Sequence, residues 1–224
     1  MIPRLHLVTD DRVVSDPEFM RRASAAISRG GARVALHLRA PGLPARTLWD
    51  LGRELRSLTT RHETPFIVND RVDVALVLGA DGAHLGRRSL PVREAREVLG
   101  PDAILGSSVH GSEEARQLGS PRGNEAHAAR RGPDFAFAGT LFATASHPDA
   151  TPGGLERVRE IHRVLPSIPV IGIGGITESR VEGVLDAGGH GVAVVRAVWS
   201  AEDPAGATGA LLEAIDCSIN RGSR

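Results

Sequence analysis

Eight short apolar runs rich in β-branched residues recur along the chain, each followed by a longer amphipathic stretch, and this alternation constrains the fold more than any other feature. Runs of that kind read as strands buried on both faces, and strands that alternate with helices pair in parallel. The strands fall at Arg4–Val8, Arg33–Leu38, Phe66–Val68, Gly82–Leu85, Ile104–Ser108, Phe135–Ala138, Val170–Ile173 and Gly191–Val195. The helical segments fall at Pro17–Arg29, Pro44–Arg61, Arg71–Leu78, Pro91–Leu99, Ser112–Arg131, Leu155–Val164, Glu178–Ala187 and Pro204–Cys217. Eight strands each followed by a helix is the count of an α/β fold of one kind, a single (β/α)8 TIM barrel. Gly79, Gly100 and Gly132 fall just after helices, where a left-handed closing residue suits glycine. The segment Gly119–Asn124 reads as a surface insertion that splits the fifth helical segment.

A chain of 224 residues fits one such barrel, here residues 1–217, with 218–224 expected as a frayed polar tail. The formal net charge is +0, and with no Tyr, two Trp and five Phe the chain offers neither a basic field nor stacking groups for nucleic acid. No apolar run approaches the length of a membrane span, and no basic-then-apolar leader precedes the first strand, so a cytoplasmic protein is expected. The single cysteine, Cys217, excludes an internal disulfide and a thiolate metal cluster. All 27 basic residues are arginine. Without a lysine amine, Schiff-base chemistry is excluded.

The most informative stretch is Ile168–Thr177, I-P-V-I-G-I-G-G-I-T. A buried strand ends there on Gly174-Gly175, whose bare amides can approach an anion, and Thr177 stands where an N-cap would start the next helix. The following strand leads through Val195 into Arg196. Glycine amides at one strand end beside an arginine at the next resemble the phosphate grip that barrels of this kind build after strands seven and eight, the other reading of the glycines being tight turns alone. The other strand ends carry His37 and Arg39, Asn69 and Asp70, His84, Ser108 and His110, and Thr140 with Thr144, Ser146 and His147 in the loop beyond. His84 reads equally as a core histidine bonded to a carbonyl, and Asn69-Asp70 as a helix cap. Ser108 and His110 alternate with Val109 and so point the same way, as a hydrogen-bonding wall would. Arg39 in a barrel mouth calls for an anionic partner.

The chain resembles the thiamine phosphate synthase and TenI family over nearly its full length. The resemblance rests on His37-Leu38-Arg39, V-N-D-R-V-D-V-A at 68–75, D-G-A-H-L-G at 81–86, G-S-S-V-H at 106–110, F-x-T at 142–144 and V-I-G-I-G-G-I at 170–176. It implies a barrel that binds a thiazole phosphate with the loops after strands seven and eight. In the synthase branch, that compound is joined to a pyrimidine pyrophosphate with Mg²⁺ on the departing pyrophosphate. The TenI branch instead moves a proton to aromatise the thiazole, with no cofactor.

This sequence departs from both patterns. The lysine expected two positions after Arg39 is Pro41, the lysine of the strand-six loop is His147, and of the two magnesium-binding aspartates Asp70 is present while the other position holds Ser89. Arg87 and Arg88 lie close enough in sequence to compensate in part. The proton carrier of the TenI branch falls on Thr140, so His110, His147 or His37 would have to replace it. On these departures the sequence favours a TenI-like tautomerase, with a divergent synthase using Asp70, Arg39 and Ser108 as the alternative, and a binder without turnover as a third reading. The expected partner is a small phosphorylated thiazole, and self-association through the outer helices is left open.

Overall fold

The structure, a computed structural model, describes residues 1–119, 132–144 and 151–222. Eight parallel strands close into a barrel in chain order: β1 (Leu5–Val8), β2 (Val34–Leu38), β3 (Phe66–Asn69), β4 (Gly82–Leu85), β5 (Ile104–Val109), β6 (Phe135–Ala138), β7 (Val170–Ile173) and β8 (Gly191–Val194). β8 returns to pair with β1, Leu5 opposite Val192 and Leu7 opposite Val194. Each ladder is bonded on both sides, so no strand edge is exposed.

The outer ring is built by amphipathic helices that bury one stripe each against the strands. α2 (Phe19–Gly30) buries Phe19, Ala23, Ala26 and Ile27, and α3 (Ala45–Arg61) buries Leu48, Leu55 and Leu58. α4 (Val72–Leu78) ends at Gly79 in the left-handed conformation with φ 57°, and α5 (Val92–Leu99) and α6 (Ser112–Gly119) follow. α7 (Gly154–Val164), α8 (Glu178–Asp186) and α10 (Pro204–Gly222) complete the ring, α10 packing between α8 and α2 to close it. Among the described residues no helix is long and apolar enough to cross a membrane.

Differences from the sequence reading are local. Two four-residue helices were not expected: α1 (Asp11–Val14), capped by the Asp10 side chain on Val13 N at 2.9 Å, and α9 (Arg196–Trp199). β8 stops at Val194 because Val195 turns to φ −115°, ψ −82° to start α9. Arg33 belongs to a 3₁₀ turn rather than to β2. α6 ends at Gly119 rather than running to Arg131, and the rest of the supposed insertion lies outside the described residues. The polar tail begins as helix, since α10 continues past Cys217 and Ser218 is buried with its hydroxyl on Ala214 O at 2.8 Å.

The pleat sorts side chains into two layers. Leu5, Leu7, Leu36, Leu38, Val68, Ala83, Ala136 and Val192 face the helices, whereas Val8, Phe135, Phe137, Ile171 and Ala193 form a separate cluster inside the barrel. The inner layer also takes three buried histidines, His6, His37 and His84, whose rings lie 4.2–6.0 Å from those of Phe135 and Phe137. Room for these rings comes from Gly106 on β5, where a Cβ would meet the Phe135 ring and come within 2.5 Å of His84 Nδ1. Neither ring can retreat through the barrel wall. Gly106→Ala is therefore expected to cost about 3 kcal/mol of stability, read as a lower midpoint with unchanged slope in urea unfolding.

Candidate active site

The carboxyl ends of the strands open into a cavity of ≈ 1230 Å³. Its described lining contains seven arginines, Arg39, Arg71, Arg87, Arg88, Arg157, Arg180 and Arg196, against two carboxylates, Asp10 and Asp70. Arg71 is paired with Asp73 and Arg87 with Glu114, and the excess of positive charge that remains suits anions.

One end of the cavity, suited to an anion, lies over β7 and β8. Gly174 and Gly175 have φ of 100° and 64°, which glycine alone adopts without strain, and a Cβ on Gly175 would sit 2.7 Å from Ala143 O. The amides of Gly174, Gly175, Val195 and Arg196 donate to no acceptor among the described residues. Arg196 is exposed on the cavity wall and donates to Thr144 Oγ1 at 3.1 Å. Neighbouring arginines hold the loops in place. Arg180 lies over the Phe142 ring at 4.3 Å and donates to Gly175 O, while Arg157 reaches Gly139 O at 3.0 Å and Thr140 O at 2.9 Å. α9 is fixed from behind by Trp199 Nε1 on Val8 O at 2.7 Å and by Arg22 on Ala201 O at 2.7 Å. Thr177 does precede α8, but its hydroxyl contacts Ser179 Oγ at 3.1 Å and makes no cap bond.

The opposite end lies over β2, β3 and β4. Asp70 adopts φ 65° and is exposed to the cavity. It does not cap α4, whose first position has no side-chain cap bond. Its Oδ1 instead accepts from Gly86 N at 3.0 Å and from the Ser89 hydroxyl, which ties the loop after β4 to the end of β3. No guanidinium pairs with Asp70 among the described residues, and the guanidinium groups of Arg39 and Arg88 likewise make no hydrogen bond or ion pair there.

Between the two ends lies a floor of neutral rings. His84 lines the cavity and its Nε2 meets Ser108 Oγ at 2.9 Å, so its partner is a hydroxyl rather than a carbonyl. Burial, with help from the nearby His6 and Arg39, lowers His84 to about 3. His110, also on the wall, holds Glu114 through Nδ1 at 2.9 Å and through its amide at 2.8 Å. Partial burial pushes the Glu114 carboxyl up, but the bonds from the His110 ring and amide and from Arg87 outweigh it and leave the group below its ordinary value.

The structure corrects one candidate outright. His37 is fully buried, does not line the cavity and bonds to His6 Nδ1 and Asn69, while burial and the neighbouring His84 lower it to about 3. It cannot exchange a proton with a ligand. Asn69, Asp70, Ser108, His110, Thr140, Thr144, Gly174, Gly175, Val195 and Arg196 all line the cavity as expected. Ser146 and His147 lie outside the described residues. Sequence reasoning missed Glu114, which the four-residue spacing from His110 could have flagged, and Arg71, Arg157 and Arg180, which no local signal marks.

The chain matches, over residues 5–198, the family model described as thiamine monophosphate synthase. It belongs to that family. Thiamine-phosphate synthase of Roseiflexus castenholzii is 43% identical over 210 residues, covering 93% of this chain and 86% of the relative. The enzyme of that name from Moorella thermoacetica is 45% identical over 186 residues, 83% of each chain. Among solved structures, thiamine phosphate pyrophosphorylase from Pyrococcus furiosus superposes with a TM-score of 0.77 at 34% identity, covering 96% of both chains.

The neutral histidines link this family member's stability to pH. His37 and His84 sit near 3 in the folded protein against 6.5 when exposed, so the unfolded chain takes up protons that the folded chain refuses. Their contribution is complete above pH 6.5 and is lost as the pH falls toward 3, at about 1.4 kcal/mol per pH unit for each histidine. Urea unfolding followed from about pH 7.5 to about pH 5 should show that decline, and His84→Gln should make it shallower.

Proposed function

We propose that this chain is a thiamine-phosphate synthase, which joins a pyrimidine pyrophosphate to a thiazole phosphate and releases pyrophosphate. The observation that carries this reading is the pair of anion-binding ends on opposite sides of one cavity. Gly174, Gly175 and Arg196 stand over β7 and β8, and Asp70, Arg39 and Arg88 stand across the barrel over β2, β3 and β4. A tautomerase acting on one phosphorylated ring needs only the first end, whereas a coupling enzyme needs both. Relatives that carry the synthase name at 43% and 45% identity support the same choice. The preference of the sequence for a tautomerase rested on lost lysines and a lost aspartate. Arg88 on the cavity wall, with no carboxylate partner among the described residues, supplies charge in place of a lysine, whereas Arg71 and Arg87 are held by Asp73 and Glu114; the position of the missing aspartate, Ser89, still touches Asp70.

The residues present fit a magnesium ion. Asp70 is a carboxylate at the cavity with no guanidinium partner among the described residues and a hydroxyl beside it, an all-oxygen donor set, and Mg²⁺ commonly takes one or two carboxylates and completes its shell with water and substrate phosphate. When held by Asp70 and Ser89, Mg²⁺ supplies positive charge to the departing pyrophosphate.

The chain's own groups do the rest. Arg39 and Arg88 bind pyrophosphate oxygens and stabilise the charge that grows as the carbon–oxygen bond breaks. The free amides at Gly174, Gly175 and Val195, with Arg196, hold the thiazole phosphate so that the ring nitrogen can form the new carbon–nitrogen bond. Phe137 and His84 give the two rings an apolar floor that carries no charge to compete with the cationic centre.

A two-substrate assay tests this directly: pyrophosphate release should require both substrates and Mg²⁺. Metal-independent change in the ultraviolet spectrum of the thiazole alone would reject the synthase in favour of the tautomerase. Asp70→Asn should lower turnover roughly 10- to 100-fold and raise the Mg²⁺ requirement without loss of stability, because no helix cap is removed.

Arg196→Ala isolates the other end. It should weaken binding of the thiazole phosphate by about tenfold to a hundredfold and leave the dephosphorylated alcohol unaffected. Equal loss for both would make Arg196 a structural residue.

A further inference from the structure

We infer that His6 and His37 are positioning residues: they form a one-way hydrogen-bond relay that holds the Asn69 carboxamide with its NH₂ turned inward and its oxygen toward the cavity. The relay starts at a fixed acceptor. His6 Nε2 lies 3.0 Å from Pro3 O, and a carbonyl can only accept, so the proton of His6 is on Nε2. A neutral His6 then has a bare Nδ1, which must accept from its neighbour, His37 Nε2, at 2.8 Å. That places the single proton of a neutral His37 on Nε2 as well. Its Nδ1 is left as an acceptor, 3.1 Å from the atom placed as Asn69 Oδ1.

Two acceptors facing each other at that distance would share no proton. The oxygen and nitrogen ends of a carboxamide are interchangeable in shape, so the hydrogen bonds decide which is which. The NH₂ of Asn69 therefore faces His37, and the oxygen takes the other arm. Asn69 lines the cavity, and that other arm has no hydrogen-bond partner among the described residues and is not sealed from solvent.

The neutral state that this chain of bonds needs is favoured by its surroundings. Both histidines are completely enclosed by the barrel, beside Phe135 and Phe137; burial lowers the proton affinity of each, helped by His37 at His6 and by His84 at His37. A carbonyl at Pro3, on the amino-terminal side of the barrel, thus sets the polarity of a side chain on the ligand side. The ligand group it selects is a hydrogen-bond donor, an amino group or a bound water, and not a bare phosphate oxygen. The cavity's arginines already serve phosphate oxygens.

The spectra that test this need no assumption about the reaction. Long-range ¹H–¹⁵N correlation of the whole protein should show His6 and His37 as neutral Nε2–H tautomers at neutral pH. Finding His37 as the Nδ1–H tautomer, or as an imidazolium, would overturn the relay. In His6→Phe, which keeps a ring against Phe135 and Phe137, His37 loses its acceptor and should switch to Nδ1–H as the amide turns over. An unchanged His37 tautomer in that variant would also overturn it.

The kinetic consequence rests on the synthase reading. His6→Phe should raise KM for the pyrimidine pyrophosphate about fivefold, the worth of one hydrogen bond, with kcat and the KM for the thiazole phosphate nearly unchanged. A fall in kcat with both KM values unchanged would mean that the ring acts only through packing. A protein without synthase activity would sink the functional reading while the spectra still decide the relay, and those of the unsubstituted protein decide it even if the variant fails to fold.

Discussion

Closure of the sheet is the constraint from which the other features follow. A strand in a closed parallel barrel has no free edge and no solvent face, so pleat parity alone decides whether a side chain meets the helices or the axis. On β1 that parity sends Leu5 and Leu7 outward and His6 and Val8 inward; on β2 it sends Leu36 and Leu38 outward and His37 inward. The registers Val8 with His37, His37 with Ile67 and Asn69 with His84 bring polar side chains from four strands to the axis. Burying so many ring nitrogens is costly unless each finds a partner. Most do, and the exception among the histidines, His84 Nδ1, is wedged against the space left by Gly106.

Closure also sets the electrostatic layout. With eight strands in chain order, the loops after β3 and β4 face the loops after β7 and β8 across the axis. A positive charge placed at both rims gives a cavity with two cationic poles and a neutral floor. Because the chain has no lysine, guanidinium groups do this work, and they bring constraints that ammonium groups would not. Arg157 and Arg180 are committed to main-chain carbonyls and hold the loops, so the groups left to meet a ligand include Arg39, Arg88 and Arg196. The same residue type builds the rim and charges it.

Much of this was legible in the sequence, for a physical reason. Buried parallel strands are continuous apolar runs, and all eight were found, five of them with one end displaced by one residue, as at Asn69 and Val109, where the ladder continues one residue further. α1 and α9 were not legible because four residues carry no period, and α9 forms only where Val195 turns and Trp199 finds Val8 O. Strand-end polarity identified about a third of the described cavity wall, Arg39, Asp70 and Ser108 among it. It misplaced His37, since position along a strand does not say how deep an inward side chain sits. It also gave no hint that Asp70 and Ser89, far apart in sequence, would share a hydrogen bond, and this is why the loss of an aspartate looked more damaging to a synthase than the structure makes it.

The buried histidines connect these strands of argument. A barrel could fill its axis with Val, Ile and Leu alone, at less risk from acid. Here polar rings replace them in contact with Asn69 and Ser108, two residues that a ligand can reach. A lone amide or hydroxyl at a cavity wall can rotate to donate or accept as the ligand requires, which gives adaptability at the expense of selectivity. Tied to a ring whose protonation is settled deep in the core, such a group loses that freedom and discriminates between donors and acceptors. The discrimination holds only while the rings stay neutral, so the burial that lowers His37 and His84 to about 3 serves the site as well as the core.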